Sequence, residues 1–162
     1  MRFYSFTNWM LRPIQQGIQP GHAAVELFVK YHKQGCFQTD MLWDWANDHK
    51  TFICLNGGTH FDLLNLREFM EKEGNPFPWS LFCEDGASLG GLITSIGIIL
   101  PERIYETAAL LRRYRGQDPF FSENQRGWGA FVVWEDGTSN YLDFSNWEKE
   151  MIERLNACGL AT

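Results

Sequence analysis

The densest run of chemically capable side chains is Gln15-Gln-Gly-Ile-Gln-Pro-Gly-His-Ala23. The amides of Gln15, Gln16 and Gln19 offer donors and acceptors suited to the edge of a base or of another amide, whereas on a surface loop they would serve solvation alone. His22 follows at the start of a helix, where the positive end of the helix dipole favours a neutral imidazole that could orient a water or hydrogen-bond a ligand. A satisfied buried histidine is the plainer alternative. A second candidate is Asn56-Gly57-Gly58-Thr59, between an apolar strand and a helix, where free backbone N–H groups can hold a phosphate. Glycines there serve a tight turn equally well, and so short a motif favours the turn. A third is the cationic run Arg103, Arg112, Arg113 and Arg115. Arg112 and Arg115 share a helix face and could clamp an anion, although cations on a solvated face near the negative end of the dipole are ordinary. Trp128 and Phe120 could stack on a base or simply cover a core edge. Ser88 and Thr94 lack a His and carboxylate relay that would make either a nucleophile. His49 and His60 do not have the spacing of a metal site, so no metal and no cofactor is expected.

These residues need elements to hold them. Residues 2–7 alternate and are rich in aromatics, which predicts an opening strand. Ala24, Leu27, Phe28 and Tyr31 recur at helical spacing, which predicts a helix from Pro20 to Lys33 with Pro20 in its first turn. A short helix over 39–49 is expected to be capped by Thr39 and Asp40. Residues 51–55 read as a strand that turns at Asn56-Gly57-Gly58 into a helix from Thr59 to Glu73. Strands follow over 79–84 and 92–100, the second apolar enough to be buried on both faces. Pro101 and Gly116 bracket the next helix, 117–128 reads as a mobile loop, and 130–144 as a hairpin turning at Asp136-Gly137. Ser145 and Glu148 form a capping box for a last helix with a stripe of Trp147, Met151 and Leu155. The interleaving predicts a single α/β domain, an open mixed sheet covered by helices, with a helix-hairpin-helix extension over 102–162.

The 162 residues, 44% apolar and 15% aromatic, suffice for one domain with a substantial core. A net charge of −6 argues against general binding to nucleic-acid backbone. Four cysteines without metal-ligand spacing, two of them (Cys54 and Cys83) in strands expected to be buried, fit a reducing cytoplasm. No apolar run is long enough for a membrane span, and the N-terminus opens on a strand, so neither a membrane partner nor a leader is expected.

Gln19, His22 and Ala23 match the Gln-x-x-His-Ala signature of type II peptidyl-tRNA hydrolases, and Glu84 to Thr94 followed by Ser95 to Pro101 is similar to that family's acidic loop, Thr and apolar strand. The chain resembles most closely the small members encoded by viruses of bacteria, over roughly residues 1–101. The resemblance implies an α/β fold and, in an active enzyme, catalytic roles for Gln19, His22, Asp85 and Thr94. It also places Gln15 where the family has its essential Lys, and an amide cannot supply an ammonium. Neither Arg12 nor Lys30 aligns with that position, and Glu84 or Asp85 meets the acidic one only with shifted spacing.

The function expected first is therefore a binding protein for a nucleotide or nucleotide-like molecule, held by Gln15, Gln16, Gln19, His22, Asn56, Gly57, Gly58, Arg112 and Arg115. In a virus, the role the resemblance implies is sequestering a host defence signal in the host cytoplasm. The alternatives are a peptidyl-tRNA hydrolase, with peptidyl-tRNA as partner, and a protein-interaction module that pairs as a homodimer through the C-terminal hairpin and helix.

Overall fold

The computed structural model describes residues 1–113, 121–125, 127–133 and 138–159. The chain divides into two compact units, Met1–Pro101 together with the chain from Cys158 onward, and Glu102–Ala157. Among the described residues, no helix is long and apolar enough to cross a membrane.

The first unit runs β1 (Arg2–Thr7), α1 (Pro13–Tyr31), α2 (Phe37–Asp44) continuing into a π-helical turn (Trp45–His49), β2 (Phe52–Asn56), α3 (His60–Glu71), β3 (Trp79–Cys83), the single turn α4 (Gly86–Leu89) and β4 (Ile93–Leu100). Its sheet has the order β2-β1-β4-β3, with β1 and β2 parallel and β4 antiparallel to both neighbours. An open mixed sheet was expected, and this one has a functional corollary. Strands β1, β2 and β3 all end at the edge where β4 begins, so their loops share one rim.

Every residue of β4 is buried, as its apolar run requires. Phe3, Leu27, Leu42, Leu63, Phe69, Ile96 and Ile98 build the core around it. Where α1 crosses, the sheet carries small residues. Ser80 Oγ donates to the Ala23 carbonyl at 2.6 Å, and a Cβ on Gly97 would stand 3.3 Å from the Ala23 Cβ. Helix and sheet backbones approach closely because these side chains are minimal.

Several expected boundaries move. Helix α1 starts at Pro13, which takes the first helical position that Pro20 was expected to fill. Pro20 instead lies buried in the helix interior, a placement that costs about 3 kcal/mol in an ordinary helix. Burial of Ala23, Ala24 and Leu27 beside it on the sheet outweighs that cost. Helix α2 begins at Phe37 with Cys36 at its N-cap position, and Thr39 stands in its first turn, where its hydroxyl accepts the Cys36 N–H at 3.4 Å and donates to the Tyr31 carbonyl at 2.7 Å. Helix α3 starts at Thr59 as expected, closed by a reciprocal box with Asp62. Cys54 is half-buried and Cys83 exposed, where burial was expected, because β2 and β3 are the two edges of the sheet. None of the four cysteines forms a disulfide.

The second unit contains α5 (Glu102–Arg113), the antiparallel strands β5 (Ser122–Asn124), β6 (Gly127–Val133) and β7 (Ser139–Phe144), and α6 (Asn146–Ala157). Within the stretch expected to be a mobile loop, Ser122, Glu123 and Asn124 pair with Gly129, Trp128 and Gly127. Their polarity misled because β5 is a short exposed edge strand with no side chain to bury. Ser145 and Glu148 form the expected capping box. Glu148 also pairs with Arg103, whose guanidinium reaches the Asp143 carbonyl. Gly116, Phe120 and the expected turn at Asp136 and Gly137 lie outside the described residues.

Candidate functional site

Polar side chains gather where β1 and β3 end and β4 begins. Thr94 is the residue skipped by the β3 register, since Phe82 pairs with Ser95 and Cys83 with Ile93. Strict alternation would send Thr94 and Ser95 to opposite faces, but a bulge re-aims one of them. Ser95 Oγ therefore meets Ser5 Oγ at 2.7 Å, and Thr94 Oγ1 donates to Gln19 Oε1 on α1 at 3.1 Å. The Ile93 N–H beside the bulge donates to His60 Nδ1 at 3.2 Å, so His60 braces the backbone here.

Gln19 is oriented at both ends. Its carbonyl oxygen accepts from Thr94, and its Nε2 donates to Glu84 Oε1 at 2.7 Å. Gln19 and Thr94 are buried, whereas Glu84 is half-exposed. The result is a fixed Thr–Gln–Glu chain that ends in a carboxylate facing the rim. One helical turn beyond Gln19, the exposed His22 stacks on Phe82 at a centroid distance of 4.4 Å and 16° between planes. Thr7, Asn8, Ser5 and Ser95 complete a buried polar floor, with Asn8 accepting from the Met10 N–H at 2.9 Å.

The other expected site residues fare differently. The acidic partner of Gln19 is Glu84. Asp85 is exposed, and its backbone carbonyl receives the N–H groups of Leu89 and Gly91. Gln15 Oε1 accepts the Arg12 N–H at 3.1 Å, and Gln16 Nε2 donates to the carbonyls of Trp9 and Leu11, so both amides secure the start of α1. Lys30 is engaged at β3, donating to the Trp79 carbonyl at 3.1 Å with its ammonium 4.2 Å from the Trp79 ring centre.

Asn56, Gly57 and Gly58 form a constrained turn. A Cβ on Gly57 would meet the Phe6 backbone and Leu63 at 2.8 Å, Gly58 has a φ of +80°, and Asn56 Oδ1 accepts the Gly58 N–H. The Asp62 carboxylate already receives the Thr59 N–H, which is also what holds its pKa below the usual value. In the second unit, Arg112 donates to the Leu155 carbonyl at 2.6 Å and so ties α5 to α6. Arg115 and the side chain of Ser88 lie outside the described residues. No group of three or more His, Cys, Asp or Glu converges among the described residues.

Sequence reasoning gave no weight to Phe82, Asn8 or Ser5. The last two were readable as polar residues within or just after a strand whose neighbours are aromatic, and Phe82 needed the β3 register. No family model matches the chain, and no curated protein matches it.

Proposed function

We propose that the chain is a binding protein for a nucleotide or nucleotide-like small molecule, on a scaffold similar to that of type II peptidyl-tRNA hydrolases. The observation that carries this reading is the Thr94–Gln19–Glu84 chain beside the His22–Phe82 stack. A carboxylate whose second oxygen is open can accept the N–H groups on the edge of a heterocyclic base, and an adjacent aromatic surface takes its face. A rigidly held first layer of this kind favours binding, because little side-chain freedom remains to be lost. In a viral setting, capture without turnover would remove a host defence signal from the cytoplasm.

The same residues support a second reading, hydrolysis of the ester of peptidyl-tRNA, in which His22 and Gln19 position a water. Against it stands Gln15, whose amide is turned back onto Arg12 where the resemblance calls for a cationic ammonium. The test is to incubate the purified protein with a nucleotide-rich cell extract, re-isolate and denature it, and identify released molecules by mass spectrometry alongside a peptidyl-tRNA cleavage assay. An intact nucleotide with no cleavage is the expected result. Cleavage that disappears in His22→Ala would replace the binding reading with the enzymatic one.

A further inference from the structure

Helix α1 buries one side against the sheet through Gln19, Pro20, Ala23, Ala24, Leu27 and Tyr31. The opposite side of a solvated helix should be polar. Here it carries Ile14, Ile18, Val25 and Val29, exposed by 73, 51, 61 and 66%. At 100° per residue these four fall within a narrow stripe centred opposite the buried face. Beside the stripe, Phe28 packs edge-on to Trp43 of α2 at 5.4 Å, and Trp43 is itself 44% exposed.

A second observation is independent of the first. Gly17 and Gly21, four residues apart, run along one side of the stripe, Gly21 the nearer, and a Cβ added at either would meet nothing within 4 Å. Each mid-helix glycine costs about 1 kcal/mol relative to alanine. Inside the protomer no close packing uses the missing side chains. Small residues at this spacing let a second helix backbone approach closely.

We infer that α1 is the interface of a homodimer, in which two copies of this helix cross near Gly21 and cover each other's Ile14, Ile18, Val25 and Val29. The occupant is a second copy because the stripe complements itself. Ile14 and Val29, and likewise Ile18 and Val25, stand at equal distances from a point just after Gly21, so a two-fold antiparallel crossing there sets Ile14 and Ile18 of one copy on the valines of the other. The area also fits. The four stripe residues with Trp43 expose roughly 600 Å² of apolar surface, about the apolar share of one side of a standard interface. This surface differs from the C-terminal hairpin expected from the sequence, and the inference does not depend on the ligand reading.

The experiment is sedimentation of the full chain over a range of concentrations. The expected species has twice the 18.8 kDa chain mass. Ile18→Glu and, separately, Gly21→Leu should convert it to monomer with an unchanged circular dichroism spectrum. Both positions are open to solvent within the protomer, so neither change threatens its fold. A chain that stays monomeric at every concentration overturns the inference, even if it binds lipid vesicles or another protein through this face. So does a dimer that survives both substitutions, or one dissociated only by Phe131→Lys on the exposed face of the hairpin.

Discussion

Two sets of polar side chains, one in each unit, do different work. In the second unit, Glu148 and Arg112 complete secondary structure. Glu148 caps α6 through the Ser145 N–H and pairs with Arg103, and Arg112 satisfies a carbonyl near the end of α6. In the first, Thr94 and Gln19 cap nothing. They are neutral groups oriented by each other and by Glu84 at a rim where three strands end. Polar groups that finish a helix are accounted for by the fold, whereas a held polar chain at a sheet edge is left over after the fold has been explained.

That contrast can be broken most forcefully at Glu148. Glu148→Ala should cost about 2 to 3 kcal/mol in urea denaturation, because it removes a cap and leaves Arg103 without its carboxylate. It should leave the profile of extract-derived ligands unchanged, and a loss of ligand without a loss of stability would erase the distinction. Thr94→Val should reverse the pattern, with a stability loss of about 1 kcal/mol and roughly tenfold weaker ligand capture. His22→Ala sharpens it further. Removing an exposed ring should leave the denaturation midpoint in place while weakening capture about fivefold, read by titration of the identified ligand.

The smallest effect tests the turn at Asn56 to Gly58, which the structure assigns to architecture. Asp62 has its pKa lowered by hydrogen bonds from Thr59, so its contribution to stability is present above the unfolded carboxyl value of 3.8 and is lost as pH falls through the lower folded value. Asp62→Asn should flatten the acid limb of the stability curve, measured by thermal melts across pH, without altering ligand capture. Weaker capture in this variant would return the helix start to the site.

The four strands of the first unit, the run of buried residues in β4 and the start of α3 were legible because periodicity and capping chemistry are local, whereas β5 was read as loop. The site was legible in composition but not in assembly. Gln19, His22 and Thr94 stood out, whereas the choice of Glu84 over Asp85 depends on the β-bulge at Thr94, a register shift that a single strand's sequence does not encode. Pro20 misplaced the start of α1 because its local penalty is real and is overcome only by packing on the sheet, which propensity cannot see. Gln15 and Gln16 looked like a ligand-facing amide pair, but their partners are backbone groups of the chain around them.

The Asn56 N–H, at the end of the edge strand β2, donates to the Gly159 carbonyl at 3.0 Å. Asn56 thus waits for a residue made roughly a hundred positions later, after α5 to α6. Until then the margin of β2 beside the Gly57 turn keeps an open donor, a template for pairing with other chains. The segment just after α6 acts as a late-arriving seal, so a chain cut before Gly159 should show the loss first as aggregation during expression.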